Sequence, residues 1–138
     1  MSNKLLVDTN ILVYAIDEDS QFYVASRSVL QQRNKTLFTT SKNLTEFLTV
    51  MTRSSGYGLS AETALNLLQK LIQRLEIIYP TPDSLATFLE LVASYQPSGL
   101  KLHDFEIISI TLANGISEIA TFNKKDFQTI AEITLFEL

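Results

Sequence analysis

Short apolar runs alternate along the chain with stretches of helical periodicity, and this alternation is the main clue to the architecture. Lys4–Val7 reads as a buried strand that stops at Asp8. Asn10 to Ile16 suits a short helix. Ser20 to Arg33 suits a longer one, with Val24, Val29 and Leu30 turned inward. Thr36 to Thr40 is rich in β-formers and forms the next predicted strand. Ser41 is placed to cap a helix that carries Leu44, Phe47, Leu48 and Met51 on one face. The clearest turn is Arg53-Ser54-Ser55-Gly56-Tyr57-Gly58. Ser60 then caps an amphipathic helix with Ala64, Leu67, Leu68, Leu71 and Leu75.

Glu76 to Tyr79 predicts a third strand ended by Pro80. A helix from Asp83 to about Tyr95 follows, broken by Pro97-Ser98-Gly99. Leu102 to Ala113 predicts an apolar helix stopped by Asn114-Gly115. Glu118 to Thr121 is a fourth strand and Ile133 to Phe136 a fifth. Strands alternating with helices imply an α/β fold: a mainly parallel sheet of four to five strands between helical layers. In such sheets the functional crevice lies beyond the carboxyl ends of the strands.

Bulk properties narrow the class. The 138 residues suit one domain, and 46% hydrophobic residues supply a core. No repeat, low-complexity segment or linker divides residues 1–138. Without cysteine, disulfides, thiolate zinc sites and cysteine nucleophiles are excluded. No apolar run approaches the ~20 residues that span a bilayer, and Met1-Ser2-Asn3-Lys4 does not open a secretory signal. The expectation is a soluble cytoplasmic protein. A net charge of −4 argues against nucleic-acid binding by bulk charge, but not against a nuclease whose acids hold cations.

Most of the acids read as surface charge, including the run Asp17-Glu18-Asp19. Four stand apart by position. Asp8 follows the first strand, where it also suits an N-cap. Glu46 sits among apolar neighbours early in its helix, where a macrodipole role competes. Asp104 opens a nearly all-apolar helix, where a first-turn role competes. Asp126 follows the fourth strand, in a loop that Asn or Asp side chains could brace. In a parallel sheet, strand ends and the starts of the following helices share one edge. Carboxylates gathered there repel one another unless a cation joins them, and oxygen ligands without cysteine select Mg²⁺ or Mn²⁺ over zinc.

These segments together resemble the PIN-domain ribonucleases, most of all the VapC-type toxins of VapBC toxin–antitoxin pairs. Val7-Asp8-Thr9-Asn10 resembles the family's opening motif, Thr45-Glu46-Phe47 its helical acid, and His103-Asp104-Phe105-Glu106-Ile107-Ile108 its third acidic motif. Thr121-Phe122-Asn123-Lys124-Lys125-Asp126-Phe127 is similar to the closing one. The likeness spans the whole chain and implies a single PIN-like three-layer α/β/α domain over residues 1–138. Phe105 stands where many relatives carry Ala, and Asn123 where Asp is common. The fourth metal ligand is therefore either Asn123 or Asp126.

The resemblance implies a Mg²⁺- or Mn²⁺-dependent endoribonuclease with Asp8, Glu46, Asp104 and Asp126 as catalytic acids. Asp8 and Asp104 would be direct ligands. Glu46 would act through water, and Asn123 and Asp126 would complete the cluster. Thr9, Asn10 and Thr121 would hold ligand oxygens or contact phosphate. It further implies an RNA substrate, a cognate antitoxin and a homodimer. The helices Ser20–Arg33 and Ser60–Leu75 could offer such a partner a groove, or simply pack on the core. Lys42, Arg53, Lys124 and Lys125 could meet RNA backbone, the last two most of all. His103 reads as a surface or cap residue rather than an acid–base group, because helix neighbours do not share a face.

Rivals fit less well. A haloacid-dehalogenase-like phosphatase needs a second Asp two residues after Asp8, where Asn10 stands. A phospho-accepting receiver needs adjacent acids after the first strand, where Thr9 stands, and an Asp after a central strand, where Thr81-Pro82 follows the third. A catalytically weak or inactive PIN-like module binding RNA or protein remains the alternative.

Overall fold

A computed structural model describes residues 3–138. The sheet is built on β1 (Lys4–Val7), which lies between β2 (Thr36–Thr40) and β4 (Glu118–Ala120). Outside these run β3 (Glu76–Ile78) and β5 (Thr134–Leu135), giving the order β3-β2-β1-β4-β5 with every pair parallel. The strand order reverses direction at β1, so a crevice opens between the ends of β1 and β4.

Period-two alternation assigns β1 to two cores at once. Leu5 and Val7 enter one cluster with residues of α1 (Thr9–Tyr14), α2 (Tyr23–Leu30), α3 (Ser41–Thr52) and α4 (Ala61–Leu71). Leu6 points the other way, into a cluster with Leu91 of α5 (Pro82–Tyr95) and with Ile107, Ile108 and Ile110 of α6 (Lys101–Ala113). These three strand residues are fully buried, each contributing about 2 kcal/mol of hydrophobic stabilisation. The result is the expected three-layer sandwich. Phe105 joins the second core, its ring 5.7 Å from that of Tyr95.

Several boundaries differ from the predicted ones for local reasons. Ser20 does not begin a helix: its hydroxyl accepts from the Phe22 N–H, forming a turn before α2 starts at Tyr23. Val24 is 77% exposed rather than inward. The inward face of α2 is Ser26, Val29 and Leu30, and Val24 lies two residues before Ser26, on the opposite side. Thr40, not Ser41, caps α3, in a reciprocal capping box with Asn43. Leu75 is buried but lies beyond α4, after a 3₁₀ turn at Ile72–Arg74. Asp126 sits in a short helix α7 (Lys124–Phe127) rather than a loop.

Candidate functional site

The carboxyl edge of the sheet is tied together by polar side chains. The Asp8 N–H donates to the Ala120 carbonyl at 3.0 Å, extending the β1–β4 ladder by one residue and holding Asp8 at the crevice. Asp8 is 7% exposed. One oxygen, Oδ1, caps α1 by accepting from the Thr9 N–H at 2.9 Å and also accepts from Asn43 Nδ2 at 3.2 Å. Oδ2 accepts from Thr121 Oγ1 at 2.8 Å, while Asn10 Nδ2 is 3.5 Å away, a distance that leaves most of one lone pair unused. Capping and a place at the crevice are thus both true of Asp8.

Asn10 and Thr121 join β4 to α1. Asn10 Nδ2 donates to Thr121 Oγ1 at 3.1 Å, and Asn10 Oδ1 accepts from the Phe122 N–H at 3.2 Å. Thr9 turns to α3: its hydroxyl donates to Glu46 Oε1 at 2.8 Å and accepts from Asn43 Nδ2 at 2.9 Å. Glu46 lies in the second turn of α3, so the macrodipole does not account for it.

Asp8, Thr9, Asn10, Glu46, Asp104 and Asn123 line one open cleft of about 280 Å³, with Arg53 on its wall. Asp126 stands outside the lining. Its Oδ2 accepts from Asn123 Nδ2 at 2.9 Å, and its Oδ1 is 3.9 Å from Lys101 Nζ. Asn123 therefore lines the cleft, and Asp126 fixes its amide. Lys124 and Lys125 are exposed and do not line the cleft.

The electrostatics follow from this crowding. Burial raises the Asp8 carboxyl, while hydrogen bonds from Thr121, Thr9 and Asn43 pull it down. Burial raises Glu46, the Thr9 hydroxyl opposes, and the charge of Asp8 raises it further. Asp104 is pushed up to about 6 by burial and by the charges of Asp8, Glu46 and Asp126, with His103 pulling weakly the other way. Among the described residues its carboxylate has no hydrogen bond and no ion pair. His103 is exposed beside it on α6.

Sequence reasoning missed Asn43. It is fully buried, completes the α3 capping box and donates to both Asp8 and Thr9. The Thr40–Asn43 spacing signals the box, but only the fold shows the carboxylate beyond it.

The PIN domain family model matches residues 5–133. The chain belongs to the PIN-domain family. Solved structures agree on the fold. VapBC2 from Rickettsia felis, solved on a DNA fragment from its promoter, superposes with a TM-score of 0.76 and 25% identity, covering 98% of each chain. VapBC-1 from nontypeable Haemophilus influenzae gives 0.72 at 19% identity, covering 97% of each. VapC20 of Mycobacterium tuberculosis, described as a sarcin-ricin loop cleaving toxin, gives 0.71 at 14% identity, covering 91% of this chain and 95% of that one. No curated protein matches the chain. Among the described residues no helix is long and apolar enough to cross a membrane.

Among the described residues no three Asp, Glu or His side chains close round one point as they stand. The donor chemistry of the PIN cleft still fits a hard divalent cation. Its acids and Asn123 offer oxygen, and Asp104 carries a carboxylate with no protein donor amid like charges.

Proposed function

We propose that the chain is a Mg²⁺- or Mn²⁺-dependent endoribonuclease and the toxin of a toxin–antitoxin pair. The observation that carries this reading is Asp104: a carboxylate without a donor, raised by burial and further by Asp8, Glu46 and Asp126, three acids from distant parts of the chain. A cation is the partner such a group lacks.

Asp8 and Asp104 would hold the ion directly. Glu46, already engaged by the Thr9 hydroxyl, would act through water or orient the attacking water. Asn123 would supply a neutral carbonyl oxygen, and Asp126 would add charge and fix the Asn123 amide. A divalent ion held there supplies Lewis acidity, acidifying water and offsetting charge on the phosphate. Thr121 and Asn43 hold the Asp8 oxygens in place.

An RNA substrate, a cognate antitoxin, a homodimer and a cytoplasmic location belong to the same reading. The VapBC complexes among the solved structures support the antitoxin, and VapC20 supports the reaction. The test is cleavage of RNA by the purified chain with Mg²⁺ or Mn²⁺ and its loss in EDTA. Undiminished cleavage in EDTA would sink the metal-dependent mechanism. Absence of cleavage with RNA binding retained would favour a non-catalytic binding module.

A further inference from the structure

The acidic cleft has a neighbour at Glu46. Glu46, Val50 and Arg53 also line a second cleft of about 340 Å³, which adjoins the first. This second cleft runs between α3 and the start of α6, with Lys42 and His103 on its walls. Lys42 Nζ faces Glu106 Oε1 across it at 3.6 Å. Arg53 stands at the junction of the two clefts.

Arg53 is the C-cap of α3, and the turn that follows is folded back onto it. Its carbonyl accepts from the N–H groups of Gly56 and Gly58, both at 3.0 Å. The Tyr57 hydroxyl anchors the turn by donating to Asp17 Oδ2 at 2.7 Å. Gly56 lies against the Arg53 stem: a Cβ there would sit 3.1 Å from Arg53 Cγ, 3.2 Å from Nε and 2.3 Å from the Val50 carbonyl oxygen. Backbone thus buttresses the side chain. Yet among the described residues the guanidinium has no ion pair and no hydrogen bond.

A buttressed, unpaired guanidinium beside a carboxylate pocket is placed for an anion entering that pocket. Its planar fork matches phosphate oxygens in bidentate geometry. We propose that Arg53 is a substrate-binding residue that grips the RNA phosphate next to the one at the carboxylates and leads the single strand into the α3–α6 cleft. This rests on the nuclease reading above.

The test is binding of a fluorescein-labelled single-stranded RNA oligonucleotide of mixed sequence to the full chain in EDTA, followed by anisotropy over a range of salt. Arg53→Gln keeps the stem and removes the charge. It should bind about tenfold more weakly, the loss of one charge-assisted contact. Its slope of log K against log salt should fall by about 0.7. Arg53→Lys should restore the slope and part of the affinity, while Lys70→Gln on α4 should match the wild type.

Equal affinity and slope for wild type and Arg53→Gln overturn the proposal, as does a wild-type chain that does not bind the oligonucleotide. RNA cleavage by the wild type, measured separately, distinguishes the two readings. Cleavage with Arg53-independent binding overturns the grip and leaves the nuclease standing. Arg53-dependent binding without cleavage supports the grip and removes the nuclease.

Discussion

Replacing Asp104 by asparagine should raise the melting temperature of the metal-free protein. Burial at the start of α6 disfavours the charged carboxylate, the charges of Asp8, Glu46 and Asp126 disfavour it further, and it has no donor to offset them. Its rise from 3.8 to about 6 corresponds to about 3 kcal/mol against the charged state at neutral pH. Water reaches part of the group, and screening reduces the usable gain to about 1–1.5 kcal/mol. For a domain of this size that is about 3–6 °C.

The folded chain retains the Asp104 proton between about 3.8 and 6, where the unfolded chain has released it. The stability associated with this group is therefore highest below 3.8, falls as pH rises through that window and is lost above about 6. Thermal melts followed by circular dichroism in EDTA should show the gain from Asp104→Asn at about pH 7.5 and little of it at about pH 4, where the wild-type carboxyl is protonated in the folded state. Mn²⁺ should then raise the wild-type melting temperature more than that of Asp104→Asn. An unchanged or lower variant melting temperature in EDTA at the higher pH would refute the burial and crowding of this charge.

Asn43→Ala removes the reciprocal cap of α3 and a donor to both Asp8 and Thr9. Urea unfolding should show a loss of about 2–3 kcal/mol, and a loss below about 0.5 kcal/mol would contradict the role given to Asn43. Gly56→Ala must push the turn off the Val50 carbonyl, since the added Cβ would lie 2.3 Å from it. It should cost about 1–3 kcal/mol by the same measurement, and a neutral effect would show that the turn does not pack on Arg53 as described.

Legibility from sequence differs sharply with the range of the interaction concerned. The bounds of β1 and β2 follow from their apolar and β-branched residues, and both match. Asp8 and Thr121 fall at the sheet edge because each lies where an apolar strand stops. Val24 misleads because one apolar residue beside Tyr23 looks inward until the phase of Ser26, Val29 and Leu30 is known. The buried face of α2 includes a serine, which hydrophobic periodicity alone does not select. Asn43 and Arg53 are hardest to weigh, since the partners of the first and the clefts beside the second are brought together only by the fold. Asn43 reads as a local cap, yet its side chain reaches Asp8, 35 residues away in sequence. Arg53 reads as ordinary turn charge until two clefts are seen to meet at it. The question left by the fourth motif also takes a three-dimensional form, with Asn123 lining the cleft and Asp126 bonded to its amide.

The central claim is that acids from separate elements form one metal-dependent nuclease site. Its most direct test is the rate of RNA cleavage in Mn²⁺ by Asp8→Asn and Asp104→Asn, each shown by circular dichroism to be folded. The account predicts that each variant loses at least about a hundredfold in rate, because each removes a charge that holds the ion. Cleavage by both at the wild-type rate would contradict it.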